Sequence, residues 1–514
     1  MIVITHKSNH ALSVFDYKSE ENIHVDSRGL IDVFFKLANQ FENRLVIWCE
    51  DDLKDYINFK EFEKIFHHKL IMASYNVKDF YYIDERIGYV ESSPFLKISK
   101  QVTYPTWLMS SSIGGINSDV LSRYNQNDYK SKTFDYALNS IAKRGIPNGL
   151  FCYSEPTLLK TGIDIDKNGK ASKYELFKFI KEHYKARWTF LTLFNSLIYE
   201  KRLFLFPFIM SFFSSKQLNK LNFKDFKDIK ERNLRLTDTI DVIIPTIGRK
   251  SFLYDVLLDL SNQAALPKNV IIIEQNPVVG SKTALDYLQK KSWPFKIKHS
   301  FIHQTGACHA RNIALEHIES DWVFMADDDI RFDEKTLEIA LAEMHKYHLK
   351  AATLSCYREG DKKLKQSTLQ WHTFGSGCSI ISNQIASQLR FDMAYEHGFG
   401  EDGDFGMQIR NMGEDIGYIS NCALLHLKAP VGGFRTKITN SWDNDNIQPK
   451  PSPTIMLYHL KHQTPFQIKG YKTILFLKYF KLQGNKNIFS YFSYMKKRWN
   501  KSVEIANNLK NQFN

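Results

Sequence analysis

Short apolar runs alternate with amphipathic stretches in the middle of the chain. Val242–Ile244, Val270–Ile273 and Trp322–Ala326 consist of consecutive apolar residues and are short enough for buried strands. Between them, apolar residues recur three and four positions apart, as in Leu253–Leu260 and Leu337–Met344, which predicts helices. Strands that alternate with helices predict an α/β fold with a mostly parallel sheet, whose ligands bind at the carboxyl ends of the strands.

The first 160 residues show a reduced form of the same pattern. Ile2–Thr5 and Leu45–Cys49 are predicted strands, and Leu30–Phe41 is a predicted helix between them. We therefore predict a separate, smaller α/β domain at residues 1–160.

The segments outside these two regions predict helices. Residues 161–235 contain the aromatic stretches Leu176–Tyr199 and Leu203–Phe213 and are interpreted as a helical connector. These stretches would form either a buried helical layer or an exposed apolar face. Residues 446–514 form a basic, aromatic helical tail, which leaves residues 236–445 as the main α/β domain.

Length and composition narrow the class of protein. A chain of 514 residues is too long for one ordinary core, and 43% hydrophobic with 24% charged residues is typical of globular proteins. The six cysteines include no Cys-X-X-Cys pair, which argues against a disulfide framework or a zinc site and suits a reducing cytoplasm. The segment Met1–His6 lacks the basic and apolar regions of a secretory signal, so we expect a cytoplasmic protein.

Positive charge is concentrated near the end of the chain. From Lys461 onward there are eleven basic residues, and Glu504 is the single acid. Because these residues are interleaved with Phe and Tyr, the tail could bind an anionic membrane surface, or it could be a solvated helical face. We expect no nucleic-acid binding, since the charge lies outside the α/β core. No apolar run is long enough to predict a membrane-spanning helix.

The most informative stretch ends the third predicted strand of the main domain. Asp327, Asp328 and Asp329 follow Trp322–Ala326 directly, and three adjacent carboxylates repel one another unless solvent or a cation neutralises them. Mg²⁺ and Mn²⁺ prefer such oxygen ligands and commonly share them with phosphates. The alternative is an acidic turn before a helix that Asp333 would cap.

Four further segments change this picture, because together with the acidic run they resemble inverting family 2 glycosyltransferases of the GT-A fold. The resemblance covers roughly residues 240–435 and depends on five segments in the expected order. These are Ile243–Arg249, Ile273–Asn276, Gly306–Asn312, Ala326–Asp329 and Gly398–Phe405.

The resemblance implies a nucleotide-sugar site. Its expected residues are Pro245, Thr246, Arg249, Glu274, Gly306, Arg311, Asn312, Asp327 and Asp328. Glu274 stands where an Asp is commoner in the family, and Gln275 and Asn276 replace the usual Asp-Gly-Ser run. The base of the donor is therefore open, with uridine as the default.

The resemblance also implies the chemistry of transfer. Asp327, Asp329 and His426 would hold Mn²⁺ or Mg²⁺, by analogy with the Asp-X-Asp motif of the family. Asp402 would be the general base that deprotonates the acceptor hydroxyl, with Glu401 beside it at a helix start. A structural His or a helix-capping acid is the alternative for His426 and Asp402 respectively.

Two further groups complete the predicted site. The acceptor side is expected to include Trp371, Gly375 and Gly377. The segment Pro430–Arg435 is expected to close over the diphosphate as a loop.

The first domain repeats parts of the sequence pattern of the main α/β domain. Leu45–Asp52 parallels Trp322–Asp329, Ser112–Leu121 parallels Gly375–Ser382, and Asp135 parallels Asp402. The upstream spacing is too short for a complete nucleotide-binding half. We therefore predict a degenerate GT-A-like domain that serves acceptor binding or assembly, with chance similarity between two α/β segments as the alternative.

These patterns together predict a metal-dependent inverting glycosyltransferase. It would transfer a sugar from a nucleotide sugar, by default a UDP-sugar, to a glycan or lipid-linked acceptor in surface polysaccharide synthesis, at the cytoplasmic face of a membrane. The alternatives are a bifunctional polymerase with two active sites and a non-catalytic protein that binds glycans or nucleotides.

Overall fold

The structure, a computed structural model, divides the chain into two units. Unit 1 comprises Met1–Ile229 and Gln463–Ile474, and unit 2 comprises Lys230–His462 and Leu475–Asn514. The described residues are all except 26, 161–170, 218–220, 224–225, 227–237, 363–367, 431–439, 441, 481–486 and 514. The four-part division predicted above stays a prediction.

Unit 1 contains an eight-stranded mixed sheet in the order β3-β2-β1-β4-β7-β5-β8-β6. Its strands are β1 (Ile2–Lys7), β2 (His10–Asp16), β3 (Glu21–Asn22), β4 (Leu45–Glu50), β5 (Ile71–Tyr75), β6 (Tyr104–Pro105), β7 (Ile113–Asn117) and β8 (Phe151–Ser154). β1 and β4 are parallel, as are β5 and β8, whereas β7 is antiparallel to both of its neighbours. The predicted strands β1 and β4 are therefore confirmed, each with a slightly longer range.

Among the described residues, seven α-helices lie in unit 1, together with the first part of a later helix. They are α1 (Leu30–Gln40), α2 (Phe62–Ile65), α3 (Ser118–Leu121), α4 (Phe134–Gly145), α5 (Lys173–His183), α6 (Arg187–Glu200) and α7 (Leu205–Ser211). The predicted connector helices thus exist as α5, α6 and α7. Buried aromatic residues form much of the core, including Phe34, Trp48 and Phe134, whose rings make edge-to-face contacts.

Unit 2 contains a nine-stranded mixed sheet in the order β11-β10-β9-β12-β16-β14-β17-β13, with β15 also paired to β17. Its strands are β9 (Ile240–Thr246), β10 (Asn269–Gln275), β11 (Lys296–Ile302), β12 (Trp322–Ala326), β13 (Ile330–Arg331), β14 (Ala351–Tyr357), β15 (Leu369–Gln370), β16 (Cys378–Ser382) and β17 (Ile416–His426). β11, β10, β9 and β12 are mutually parallel. The α/β class and the parallel strands predicted from the apolar runs are confirmed.

The helices of unit 2 cover this sheet and continue to the end of the chain. They are α8 (Lys250–Ser261), α9 (Tyr287–Lys290), α10 (Ala307–Leu315), α11 (Thr336–Lys346), α12 (Asn383–Ala386), α13 (Glu401–Asn411), α14 (Pro453–His462), α15 (Pro465–Phe480) and α16 (Ile488–Phe513). α15 belongs to unit 1 up to Ile474 and to unit 2 from Leu475. None of the described helices combines the length and hydropathy needed to cross a bilayer.

The central strand β12 shows why the apolar pattern identified the sheet. All five of its residues are buried, because β9 flanks it on one side, β16 on the other, and helices cover the faces. β17 is the longest strand of this sheet and continues to His426 through an irregularity in register opposite Leu354 and Ser355.

A candidate active site at the strand ends of unit 2

A cleft of about 500 Å³ opens at the carboxyl ends of β9 and β12. Twelve of the predicted site residues line it: Pro245, Thr246, Arg249, Gly306, Arg311, Asp327, Asp328, Asp329, Gly377, Glu401, Asp402 and His426. A larger cavity of about 740 Å³ lies elsewhere in unit 2, is lined by residues such as Asp321 and Ser382, and includes none of the predicted residues. The parallel topology thus gathers the polar strand ends into one crevice, as expected for such sheets.

Asp328 is the structural member of the acidic run. Thr246 Oγ1 donates a hydrogen bond to its Oδ2 at 2.6 Å, and Arg249 Nη1 lies 2.5 Å from its Oδ1. The residue is 2% exposed, and burial raises its pKa to about 6 even though Arg249 and Thr246 act in the opposite direction. Both oxygens are therefore occupied in holding the loops after β9 and β12 together.

Asp327, Asp329 and His426 form the one group among the described residues whose ligand atoms fit a metal ion. These atoms all lie within 4.8 Å of one another. The pairing of β13 with β17 explains the approach, because Ile330 is directly opposite His426 and brings Asp329 alongside the ring. The distance from His426 Nε2 to Asp329 Oδ1 is 3.3 Å.

The donor set suits a hard divalent cation. Asp329 is 2% exposed, and its Oδ1 is buried without a hydrogen bond of normal geometry to the described residues. Burial alone would raise the pKa of Asp329, but hydrogen bonds from His426 and the backbone of Ala429 lower it, so the carboxylate stays charged. A buried, charged and incompletely satisfied oxygen beside a second carboxylate and an imidazole fits Mn²⁺ or Mg²⁺.

Asp327 occupies a position that only a glycine neighbour allows. Its backbone N–H donates to Gly377 O at 2.9 Å, and a Cβ on Gly377 would lie 2.2 Å from Asp327 Oδ2. On the other side, Arg311 Nη2 lies 3.3 Å from Asp327 Oδ1. Burial alone would lower the pKa of Arg311, but the charges of Asp327 and Asp402 raise it.

Asp402 lies in the first turn of α13, which starts after Gly400 at φ +114°. Ser376 donates both its backbone N–H and its hydroxyl to Asp402 Oδ1, the former at 3.1 Å. Among the described residues, no donor hydrogen-bonds its second oxygen, Oδ2. Burial raises the pKa of Asp402, whereas Arg311 and Ser376 lower it. Asp402 thus has one oxygen fixed and the other available to accept a proton.

Glu401 differs from its neighbour in protonation. Burial, followed by the adjacent charge of Asp402, raises the pKa of Glu401 to about 7. Glu401 is therefore partly protonated near neutral pH, and repulsion between the adjacent carboxylates disfavours ionisation of both.

Sequence reasoning missed two groups that shape the cleft. Ser376, which fixes Asp402, lies between the predicted residues Gly375 and Gly377 but was not itself predicted, and its register beside β12 is the signal that identifies it. Glu396 accepts hydrogen bonds from Cys308 N at 3.2 Å and His309 N at 2.7 Å, at the N-terminus of α10. Gly306, at φ +152°, is needed for that contact, because a Cβ there would lie 2.4 Å from the Glu396 carboxylate.

Four predicted residues lie outside the cleft lining, each with internal contacts. The Glu274 carboxylate accepts from Thr283, Ala284 N and His299, and the Asn312 side chain pairs with the backbone of Phe391. The Trp371 ring stacks on Tyr418. Gly375 N donates to Thr353 Oγ1, and Ser379 Oγ donates to Gly375 O. Their roles in binding stay predictions, and these contacts alone account for their positions.

The segment after β17 is tied to the metal-ligand group. Leu427 N donates to Asp329 O at 2.9 Å, and Ala429 N donates to Asp329 Oδ2 at 2.8 Å. Lys428 lines the cleft. The predicted closing loop continues beyond this point, but residues 431–439, and with them Arg435, lie outside the described residues.

Comparison with known proteins shows what this domain is similar to. Residues 241–417 match the sequence model of glycosyl transferase family 2, a segment that includes Asp327–Asp329 and Asp402. The GT-A fold expected from the resemblance is therefore confirmed for this part of the chain. A search of curated proteins found no match.

Solved structures were also compared. TarS of S. aureus is 20% identical, with 37% of each chain covered and a TM-score of 0.31. A structure of TarS residues 1–349 in complex with UDP-GlcNAc is 18% identical, with 46% of this chain and 70% of that chain covered and a TM-score of 0.36. GalNAc-T7 with UDP, GalNAc and Mn²⁺ is 13% identical, with 48% and 55% covered and a TM-score of 0.34. The chain spans little more than a third of the full TarS chain, and alignments at this level do not bear on substrates.

Proposed function

We propose that the protein is a metal-dependent inverting glycosyltransferase whose active site is the unit 2 cleft, because residues 241–417 match the sequence model of glycosyl transferase family 2. The observation that carries the proposal is the meeting of two chemically distinct groups in one cavity. Asp327, Asp329 and His426 offer metal ligands, and Asp402 offers a half-buried carboxylate fixed on one oxygen. A nucleotide-sugar transferase needs both groups, because the leaving diphosphate needs a positive charge to neutralise it and the incoming hydroxyl needs a base to remove its proton.

In this proposal the donor lies between the ends of β9 and β12. Pro245, Thr246 and Arg249 line the cleft at the end of β9, and Arg311 contributes a buried positive charge beside Asp327. When bound, Mn²⁺ or Mg²⁺ would neutralise charge on the diphosphate as it departs. Asp328 keeps Arg249 in place through its hydrogen bonds, so its contribution to donor binding is indirect.

The transfer step is a single displacement. Asp402 Oδ2 accepts the proton of the acceptor hydroxyl while that oxygen forms a bond to the anomeric carbon. The bond from the anomeric carbon to the diphosphate oxygen breaks at the same time, and its electron pair leaves with the nucleoside diphosphate. Because attack and departure occur on opposite faces, the anomeric configuration inverts without a covalent glycosyl-enzyme. Ser376 keeps Asp402 aligned during this step.

The two alternative functions receive less support. A bifunctional polymerase needs a second donor site in unit 1, but Asp52 is exposed there and Asp51 pairs with Lys54 on the surface. A non-catalytic binding protein needs neither the metal-ligand group nor a half-buried carboxylate of raised pKa beside it.

The acceptor remains the broadest part of the proposal. We favour a glycan or lipid-linked acceptor in surface polysaccharide synthesis at a membrane, as the family resemblance and the basic tail suggest. Several tail cations already have partners in unit 2, since Lys461 pairs with Asp392 and Asp404, and Lys501 pairs with Asp445. Membrane docking by the tail therefore depends on the remaining basic residues.

The test is donor hydrolysis and transfer with a panel of UDP-, GDP- and dTDP-sugars, with and without Mn²⁺. We expect turnover of one donor class that requires the metal and stops on chelation. Tight binding of a nucleotide sugar without any hydrolysis or transfer to glycan or lipid-linked acceptors would favour the non-catalytic alternative. Absence of nucleotide-sugar binding across the panel would contradict the proposal altogether.

A further inference from the structure

The helices α6 and α7 of unit 1 have a reversed distribution of polar and apolar residues. In a globular protein a surface helix buries its apolar side and exposes its polar side. In α6, by contrast, Thr189, Thr192, Asn195 and Ser196 are each 0% exposed. Four apolar residues of the same helix are turned outward, although Leu191 is buried: Phe190 (56% exposed), Phe194 (44%), Leu197 (46%) and Ile198 (40%).

The buried hydroxyls of α6 are satisfied within the helix, and Asn195 contacts α15. Thr192 and Ser196 donate to the carbonyls four residues earlier, at 3.0 Å and 2.9 Å, as hydroxyls in apolar surroundings often do. Asn195 Oδ1 accepts from Thr473 at 2.7 Å, whereas Asn195 Nδ2 has no hydrogen-bond partner among the described residues. The Asn195–Thr473 bond therefore ties the polar side of α6 to α15, and turning the apolar side inward would break this bond.

α7 extends the apolar side of α6 into one surface. Ser211 is buried and donates to Phe208 O, whereas Phe206 is 72% exposed and Phe213, just after the helix, is 80% exposed. The rings join the two helices, because Phe190 lies 4.9 Å from Phe208 and 5.7 Å from Phe212, measured between centroids. Scattered exposed apolar residues need no explanation, but a joined aromatic surface marks an interaction site.

Basic residues surround this surface. Lys185 and Arg187 at the start of α6, Lys201 and Arg202 after it, and Lys216 beyond α7 are all exposed. Between residues 185 and 217 the single acid is Glu200, which already pairs with Arg86. Two copies of the chain docked through this face would bring these cations together, which disfavours self-association. An anionic bilayer offers both an apolar interior and negative headgroups, so it complements the surface on both counts.

We propose that α6 and α7 form a membrane-docking surface that lies in the interface of an anionic bilayer. Phe206, Phe213 and the outer residues of α6 enter the acyl region, and the surrounding Lys and Arg side chains contact the headgroups. The helices lie flat on the membrane, because neither can span it. This proposal stands independently of the transfer reaction and assigns the main docking role to unit 1 instead of the C-terminal tail.

The test is co-sedimentation of the full-length protein with lipid vesicles. One set is neutral phosphatidylcholine, and the other contains about one quarter phosphatidylglycerol, since docking should need anionic headgroups. We expect binding to the anionic vesicles that weakens with salt. The double variant Phe206→Ser/Phe213→Ser should lose about tenfold or more in vesicle affinity, and Lys201→Glu/Arg202→Glu should lose a similar amount.

The matched control is Phe489→Ser, at a residue of α16 that is 88% exposed. All of these side chains are exposed, so thermal melts should confirm that each variant folds like the wild type. Unchanged binding by the Phe206/Phe213 variant would overturn the proposal, as would equal binding to neutral vesicles. Loss of binding in the Phe489 variant alone would assign docking to the tail. A dimer in light scattering that dissociates in the Phe206/Phe213 variant would identify the surface as a self-association interface and also overturn it.

Discussion

The two units share a set of six strands. β1, β4, β5, β6, β7 and β8 follow one another along the chain with the same partners and directions as β9, β12, β14, β15, β16 and β17. The correspondence extends to single hydrogen bonds, because Glu50 N donates to Ser112 O as Asp327 N donates to Gly377 O, at 2.8 Å and 2.9 Å. The similarity seen in the sequence therefore reflects a shared arrangement of strands, and not chance.

The shared ladder also assigns equivalent side chains. Cys49 pairs with Ile113, and Ala326 pairs with Cys378, which makes Ser111 the counterpart of Ser376. Ser111 donates its N–H to Asp135 Oδ1 and its hydroxyl to Asp135 Oδ2, both at 2.9 Å, whereas Ser376 donates both groups to Asp402 Oδ1. Burial raises the pKa of Asp135 as well. A half-buried aspartate fixed by a serine is thus present in both units, but both of its oxygens are bonded by that serine only in unit 1.

The units differ in what surrounds this pair. In unit 1 an antiparallel hairpin partner, β2, lies beside β1, where unit 2 has the parallel strand β10 beside β9. Asp52 is exposed, and Phe134 precedes Asp135 where Glu401 precedes Asp402. The comparison teaches that the serine–aspartate pair belongs to the scaffold. A donor site needs, in addition, the metal ligands and the parallel strands that bind a nucleotide.

The largest expected effect is a loss of transfer on substitution of Asp402 that substitution of Asp135 does not cause. Asp402→Asn keeps the shape and one hydrogen bond but removes the proton acceptor, so kcat should fall by about 10²–10⁴-fold while donor binding persists. Asp135→Asn is the matched control, and its transfer rate should stay within about twofold of the wild type, because unit 1 would carry no chemistry. Steady-state transfer assays and calorimetric titration of the donor measure both quantities.

Either aspartate could contradict this assignment. Wild-type turnover by the Asp402 variant would remove it from the role of base. A comparable loss in the Asp135 variant, with an unchanged melting temperature, would revive the two-site polymerase.

The next effect concerns the metal. Asp329→Asn removes a charged, buried ligand beside His426, so Mn²⁺-dependent donor binding should weaken by roughly 100-fold or more. Asp52→Asn, at the corresponding acid of unit 1, should leave Mn²⁺ binding unchanged because that side chain is exposed. Calorimetry with Mn²⁺ and a nucleoside diphosphate distinguishes them. Equal Mn²⁺ affinity in wild type and the Asp329 variant would exclude this group as the metal site.

The sequence predicted the strands and acids that the two units share, but not the register in which the strands pair. Apolar runs identified β12 and its acids, since a buried strand in a parallel sheet leaves a recognisable pattern. The sequence comparison aligned Ser112 with Gly375, whereas the strand pairing makes Ser110 the counterpart of Gly375. Strand register depends on hydrogen bonds that no local sequence pattern shows. For the same reason Ser376 was overlooked.

A smaller effect should follow from substituting Gly377 and Ser112, whose carbonyls accept from Asp327 N and Glu50 N respectively. Gly377→Ser introduces a Cβ that would lie 2.2 Å from Asp327 Oδ2, which forces the carboxylate away from the metal-ligand group. We expect Mn²⁺ affinity to fall by about 10–100-fold, as when groups supporting a metal ligand are lost. The reverse change in unit 1, Ser112→Gly, should alter the free energy of unfolding by only about 1 kcal/mol and leave transfer intact. Unchanged Mn²⁺ affinity in the Gly377 variant would show that Asp327 is not a ligand.

The smallest and most specific effect concerns the serines that fix the two aspartates. Ser376→Ala removes one hydroxyl hydrogen bond that lowers the pKa of Asp402, so that pKa should rise. Because a general base acts only when ionised, the acidic limb of kcat/KM against pH should move to higher pH. At neutral pH we expect kcat to fall by about tenfold, the effect of losing ~1.4 kcal/mol of hydrogen bonding to a charged group. Ser111→Ala should lower the free energy of unfolding by a similar ~1–2 kcal/mol without any change in the pH profile. If both variants lost stability and neither moved the limb, the Ser376–Asp402 contact would be as purely structural as its counterpart in unit 1.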